Sequence, residues 1–263
     1  MCGLIGYSGN TPANNKIIKR IMKANEARGK HSCGYYDGRY LHKTIGLTNN
    51  LARSLKALRT RIFIGHTRFK THGEIVARNQ HPFHYGNVTG AHNGVVHNYL
   101  EVGEKYNLPE TEVDSQMIFQ LLNKTQNNKK LGEFSNTLAT LFTKEDGQLY
   151  AYRKGNPLWV GILKSGDGKI GLYFSSLPLI LKECGLTNLF QLKEGRLYIF
   201  KDGGLMAKQD IKHNPVETEF ADMRTWSDYQ TEDLNNTNWY PATHQERQNG
   251  WSRSQSQQAK FNF

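Results

Sequence analysis

A chain of 263 residues is long enough to bury a substantial core, as one large domain or two small ones. No apolar run is long enough to cross a membrane, no charged-then-apolar leader is seen, and Cys2, Cys33 and Cys184 are too few for a disulfide framework, so no membrane role and a reducing, cytoplasmic setting are expected. The formal charge of +11 is uneven: from Asn214 onward seven acidic residues face four basic ones, a net −3, which leaves +14 on the preceding part. With no Lys/Arg stripe interleaved with aromatics, that charge reads as a solvated surface, and nucleic acid is a partner that is not favoured.

Residues 4–8 read as a short buried strand, followed by a Gly9-Asn10-Thr11-Pro12 turn. Ile17, Ile18, Ile21 and Met22 then recur at helical spacing up to Arg28-Gly29. The aromatic-rich segment 34–41 carries Asp37-Gly38 in its middle, a strong hairpin signal. An amphipathic helix is expected over 51–58, a strand over 61–69, and another over 86–96 that runs into Asn93-Gly94. Helices are expected over 98–106 and 115–123, the second with Asp114 at its N-cap. From residue 138 the pattern becomes one of consecutive strands, over 138–142, 149–153, 158–163, 170–175 and 197–200, interrupted by a helical piece over 177–184. Strands, then helices, then strands predict a layered α+β fold with mostly antiparallel sheets. Beyond about Asn214 the apolar periodicity fades, so a polar, partly disordered tail is expected over 214–263, in which Trp226, Trp239, Tyr240, Trp251, Phe261 and Phe263 are candidate anchors onto the domain or a partner.

The chemistry begins at Met1-Cys2-Gly3. Once the initiator methionine is trimmed, Cys2 carries both a thiol and a free α-amine. The thiolate is the reactive form, and a free thiol has a pKa of about 8.5. An α-amine titrates at roughly 7.7 to 8.0 and can take the thiol proton near neutral pH. The plain alternative is a buried cysteine at the head of a first strand.

Three polar clusters fall at predicted strand ends or loops, where functional groups are displayed: residues 65–73, 90–98 and 111–115. His66, His72, His81, His84, His92 and His97 have no established metal spacing and no thiolate near them in sequence, so neither a metal nor another cofactor is expected. A thiol attacking an amide carbonyl needs donors already aimed at the developing oxyanion. Asn93 and the Gly94 N–H would place a side-chain donor and a main-chain donor side by side. An amino acid amide substrate would also call for a bidentate arginine on its α-carboxylate and a carboxylate on its α-ammonium, and Arg68 and Asp114 are the candidates. Each of these residues taken singly is equally a turn residue or a surface ion pair.

Taken together, Cys2-Gly3, Arg28-Gly29-x-x-Ser32-x-Gly34, His66-Thr67-Arg68-x-x-Thr71-His72-Gly73, His92-Asn93-Gly94 and Asp114 stand in the order and approximate spacing of class II glutamine amidotransferase domains. The chain resembles that family over about 2–208, most nearly the glutaminase domain of glucosamine-fructose-6-phosphate aminotransferase. Arg153-x-Gly155-x-Pro157-Leu158 and Phe174-Ser175-Ser176 resemble later segments of the family. The resemblance implies a four-layer αββα N-terminal-nucleophile hydrolase sandwich over 2–213 with two mostly antiparallel sheets. It also implies hydrolysis of glutamine, as substrate, to glutamate and ammonia through a γ-glutamyl thioester. Cys2 would be the nucleophile and its α-amine the base, through a water, with Asn93 and Gly94 as the oxyanion hole. Arg68 would hold the substrate α-carboxylate and Asp114 the α-ammonium, while Arg28, Phe69, Thr71, His72 and Gly73 would complete the substrate pocket.

The chain departs from the family pattern in places. His31 stands where the family has Asp, which changes the hydrogen bonding expected at the site entrance. Phe69 replaces a Trp and keeps an apolar wall, and Cys33 takes a small-residue position and reads as packing. Too few residues follow the last family-like strand for an ammonia-consuming domain, so a separate acceptor (synthase) protein is the expected partner. Two alternatives stay open: an independent hydrolase of γ-glutamyl compounds, and a non-catalytic regulatory or nucleic-acid-associated protein on the same fold.

Overall fold

The structure, a computed structural model, describes residues 1–213, so the tail expected over 214–263 and its aromatic residues lie outside the described residues. The first strand, β1 (Gly3–Gly9), is buried along its whole length. It leads to α1 (Asn15–Asn25), whose N-terminus is capped by Asn14, the side chain accepting from the N–H groups of Lys16 and Ile17. β2 (Ser32–Tyr36) and β3 (Leu41–Ile45) form the expected hairpin, with Asp37 Oδ1 accepting from the N–H groups of Arg39 and Tyr40 in the turn. Next come α2 (Ala52–Lys56), β4 (Ile62–Arg68), β5 (Phe83–Tyr85), β6 (Val88–Gly94), α3 (Tyr99–Lys105) and α4 (Asp114–Thr125). The consecutive strands follow as β7 (Leu138–Thr143), β8 (Leu149–Lys154), β9 (Trp159–Lys164) and β10 (Ile170–Ser175). After α5 (Pro178–Glu183) the described chain closes with β11 (Thr187–Gln191), β12 (Arg196–Lys201) and β13 (Gly204–Asp210).

One sheet runs β11-β9-β10-β1-β4-β2-β3 and the other β13-β12-β8-β7-β6-β5, and the pairings are antiparallel throughout. Alternate residues of a strand point to opposite faces, so a central strand feeds two cores. Ile5 and Tyr7 pack with Ile17, Ile18, Ile21 and Met22 of α1, while Leu4 packs with Ala139, Leu141 and Phe174 between the two sheets. On the far side α4 buries Met117, Ile118, Leu121 and Leu122 with Phe142 and Tyr152 of the second sheet. The layers are therefore helix, sheet, sheet, helix, the expected αββα sandwich. A Cβ at Gly3 would stand 2.5 Å from Thr67 Oγ1 and 2.6 Å from Asn25 Cβ, so glycine is what lets β4 and the end of α1 close around the residue beside Cys2. No helix among the described residues is long and apolar enough to cross a membrane.

Three strands were not expected from the sequence. β5 is three residues long, and β11 and β13 are edge strands whose residues are mostly exposed. Such segments are held by a partner's ladder and not by their own apolar pattern. The expectation of Asp114 as N-cap needs a correction of one residue. Val113 is the cap and Asp114 the first residue of α4. The Asp114 carboxylate does not cap the helix; its Oδ2 accepts from the Val96 N–H at 2.7 Å.

Candidate active site

Gly3 of β1 lies opposite Thr67 of β4, which sets Cys2 beside the end of β4 at Arg68 and Phe69. The Phe69 N–H donates to Cys2 Sγ at 3.3 Å, and the thiol reaches the Phe69 carbonyl at 3.4 Å. The Cys2 carbonyl accepts from Arg28 Nε at 2.6 Å and from Asn93 Nδ2 at 2.8 Å. Arg28 comes from the turn that follows α1, and its Nη2 also lies 3.7 Å from Met1 Sδ. It grips the main chain on which the thiol is mounted.

Asn93 and Gly94 end β6. Asn93 Nδ2 donates a second bond, at 2.9 Å, to Ser176 Oγ, so both of its protons are in use, while Oδ1 is buried without a partner among the described residues. Ser176 Oγ also accepts from the Leu4 N–H at 3.0 Å, which ties the strand carrying Cys2 to the strand carrying Asn93. Gly94 has φ +140°, and a Cβ there would run into the Thr137 carbonyl oxygen, so the position is closed to other residues. The Asn93 carbonyl accepts from Asn156 Nδ2 at 3.0 Å.

Arg68 is 3% exposed and folds the loop after β4 back over the site, its Nη1 donating to Glu74 O at 3.0 Å and its Nη2 to His72 O. Thr71, His72 and Gly73 ride on that loop. Gly73, with φ +68°, packs at the start of α4, where a Cβ would come within 2.9 Å of Glu112 O and of Val113 Cγ2. Asp114 is buried there, its Oδ1 accepting from Ser115 Oγ at 3.3 Å. Phe69 is exposed and faces the His31 ring with centroids 4.9 Å apart. At the site entrance His31 Nδ1 accepts from the Lys70 N–H at 2.8 Å, and the His31 main-chain N–H donates to Arg68 O at 3.1 Å. The structure thus joins Cys2 by hydrogen bonds to Arg28, Asn93 and the Phe69 main chain, while Arg68, tied to the 71–73 loop through His72 O, is near enough for its charge to act on Cys2 and Asp114.

Burial pushes the Cys2 thiol up, and the Phe69 N–H, the terminal ammonium, Arg28 and Arg68 push it back down. Burial also pulls the terminal ammonium, here that of Met1, below its ordinary value. Arg28 is lowered to about 10 by burial and stays cationic at neutral pH. Burial lowers Arg68 as well, with the Cys2 and Asp114 negative charges opposing the shift. Cys33 is buried and pushed up to about 12, which fits a packing residue.

Beneath the site lie His66, His81 and His92, all buried. The His66 and His81 rings are 4.1 Å apart, His66 Nε2 meets His92 O at 3.0 Å, and His92 Nδ1 meets Ser115 Oγ at 2.8 Å. Burial lowers His66 to about 3, His81 well below its usual range, and His92 in the same direction. Among the described residues no three or more His, Cys, Asp or Glu side chains are placed to hold a metal.

Ser176, Asn156 and Asn25 were not assigned roles from sequence. Ser176 stands in the Phe174-Ser175-Ser176 segment and Asn156 inside Arg153-x-Gly155-x-Pro157-Leu158, so the segments were visible while the contacts were not.

Comparison with known proteins follows the same lines. The family described as class-II glutamine amidotransferases matches residues 1–150. An isomerizing glutamine–fructose-6-phosphate aminotransferase of Methanosarcina mazei is 33% identical over 195 residues, covering 62% of this chain and 31% of that protein. Its namesake in Bradyrhizobium diazoefficiens is 27% identical over 264 residues, covering 89% of this chain and 42% of that protein. The chain therefore spans about a third to two fifths of the length of these curated relatives. Among solved structures, glutamine phosphoribosylpyrophosphate amidotransferase of B. subtilis, complexed with ADP and GMP, superposes with a TM-score of 0.66 at 22% identity, over 81% of this chain and 50% of that one. A glutamine aminotransferase class-II domain protein from Silicibacter pomeroyi gives a TM-score of 0.52 at 18% identity, over 81% of this chain and all of that one. These two likenesses support the αββα N-terminal-nucleophile hydrolase fold. The family match spans more than half of the sequence and contains the Cys2, Arg68, Asn93 and Asp114 cluster: the chain belongs to the class-II glutamine amidotransferases.

Proposed function

We propose that this chain, after loss of Met1, hydrolyses the side-chain amide of glutamine to glutamate and ammonia through a thioester on Cys2, and that the ammonia serves a separate acceptor protein. The observation that carries the reading is the junction at Cys2, where a thiol bonded to the Phe69 N–H and the Asn93 amide meet one residue from the amino terminus, so that loss of Met1 would put the freed α-amine on the same residue. Burial raises the Cys2 thiol and lowers the Met1 amine beside it; a Cys2 amine freed in the same surroundings would share that direction, which favours the neutral thiol and neutral amine that a nucleophile and its base start from.

In the proposed reaction the Cys2 α-amine takes the Sγ proton through a water, and the sulfur attacks the amide carbon. The carbonyl π pair moves onto oxygen, where Gly94 N–H and Asn93 Nδ2 stabilise it, Nδ2 giving up one of its present acceptors for the oxyanion. Collapse breaks the C–N bond, the ammonium returns its proton to the leaving nitrogen, and ammonia departs. Water, deprotonated by the same amine, then attacks the thioester and restores the thiol. Arg68 would pair the substrate α-carboxylate through N–H groups not spent on His72 and Glu74, Asp114 would take the α-ammonium, and Phe69, Thr71, His72 and Gly73 would line the pocket. The relatives are named for moving glutamine nitrogen to fructose-6-phosphate, and the matched part is a third to two fifths of their length. That supports acceptor chemistry housed outside the matched region.

The test is product release by the purified chain. Equal amounts of glutamate and ammonia from glutamine, at a higher kcat/KM than any γ-glutamyl peptide gives, are expected. No release, or a preference for γ-glutamyl peptides, would sink the reading. Arg68→Lys is expected to raise KM for glutamine about 10- to 100-fold, because a point charge cannot grip a carboxylate bidentately. A steady-state titration with glutamine checks this, and an unchanged KM would remove Arg68 from the carboxylate role.

A further inference from the structure

The Asn93 carbonyl, next to Gly94, is secured by a residue from a distant turn. Asn156 Nδ2 donates to it at 3.0 Å across 63 positions of sequence. The donor is fixed in its turn from three sides. Arg153 Nε donates to Asn156 O at 2.9 Å, and Arg153 Nη1 to Leu192 O at 3.0 Å. Glu194 Oε1 accepts both from Arg153 Nη2 at 2.6 Å and from the Gly155 N–H at 2.9 Å. Gly155, with φ +79°, packs where a Cβ would stand 2.7 Å from Thr137 Cγ2, and it is the Thr137 carbonyl that a Cβ on Gly94 would strike. The turn, Thr137 and the end of β6 thus stack in one place.

A trans peptide is planar, and its C=O and N–H point in opposite directions. The Asn93 carbonyl and the Gly94 N–H belong to one such plane. A donor that holds the carbonyl therefore fixes where the N–H points. We propose that Asn156 is a positioning residue for the reaction described above: by anchoring the Asn93 carbonyl it aims the Gly94 N–H at the oxyanion. The Asn93–Gly94 peptide is at the last rungs of the β6–β7 pairing, opposite Ala139 and Leu138, and the Asn156 amide adds a bond to it at the point where that pairing ends. The Arg153–Glu194 pair supplies the rigidity behind it. The inference rests on the proposed glutamine hydrolysis and adds a residue that touches neither substrate nor thiol.

Asn156→Asp is the sharpest variant, because it keeps the shape of the side chain and replaces the donor by an acceptor that repels the carbonyl. Asn156→Ala, which removes the donor without adding charge, is the second. Loss of a whole oxyanion donor costs roughly 10²- to 10³-fold in kcat, so a misaimed one is expected to cost about tenfold or more in both variants. KM for glutamine should move less than about twofold. The γ-aldehyde analogue of glutamine, which forms a tetrahedral adduct with a thiol, should lose affinity by the same factor as kcat, while inhibition by glutamate stays unchanged. A merely structural role would shift thermal stability and glutamate inhibition together with kcat. If the unmutated chain releases no glutamate, the proposed function fails and this inference with it. If it does, and both variants keep kcat and aldehyde affinity within about twofold, Asn156 is not the anchor and the proposed function stands.

Discussion

Cys2→Ala is expected to lower glutamine turnover by at least about 10⁴-fold, since removal of a nucleophile in enzymes of this kind leaves only residual catalysis from the remaining donors. The cause is local. Sγ is the atom that receives the Phe69 N–H and that lies among Arg28, Arg68 and the terminal amine. Neither other thiol can take over. Cys33 is buried and pushed up to about 12, and burial raises Cys184 as well. The fold should survive, because the strong contacts of residue 2 are made by its carbonyl, to Arg28 Nε and Asn93 Nδ2, and alanine keeps that carbonyl. The check pairs a glutamate-release assay with isothermal titration of glutamine. Abolished release with retained binding is the expected pair, and release within tenfold of the unmutated chain would mean that another group attacks.

Lowering the pH from 7 to 5 is expected to cost about 2 kcal/mol of folding stability through His66 alone, with His81 adding to the loss in the same direction. Burial holds His66 at about 3 and His81 well below its usual range, whereas in the unfolded chain both titrate near 6.5. The unfolded state therefore takes up protons that the folded state refuses once the pH falls below about 6.5. Each such group costs about 1.4 kcal/mol per pH unit until its folded pKa is reached. His92 adds to the loss in the same direction. Stability is full above pH 6.5 and declines below it. Glu133, lowered to about 2 by Lys105, Tyr106 and Lys130, acts only further down, below its ordinary 4.5, so the window from 5 to 6.5 belongs to the histidines. Denaturant midpoints at pH 7 and 5 measure the effect. A stability that is flat over that range would show that the buried rings take protons in place.

The elements legible in the sequence are those that bury both faces. β1, β4 and β6 are buried almost throughout, and apart from the polar residues that end β4 and β6 at the site their apolar and small residues mark them as inner strands. β11 and β13 carry no such record, being edge strands held by one neighbour each. β11 also breaks its own register between Thr187 and Phe190. At the site, Cys2, Arg68, Asn93 and Asp114 were readable because their chemistry is particular and their order along the chain is that of a family. Asn156 and Ser176 were not, because a polar residue in a turn gains meaning only from what lies across the fold, 63 and 83 positions away from Asn93. His31 is a middle case. Its departure from the family was visible, and only the structure shows its ring accepting the Lys70 N–H.

In the proposed reaction everything depends on a freed amine on residue 2 activating the sulfur of that same residue. Intact mass and peptide mapping after incubation with 6-diazo-5-oxo-norleucine, a glutamine analogue that loses dinitrogen as it alkylates a thiol, test it in one measurement. A chain without Met1 that carries one adduct, on Cys2, with free glutamine slowing its formation, is the expected result. A fully active protein that retains Met1, or an adduct on any other residue with Cys2 unmodified, would contradict it.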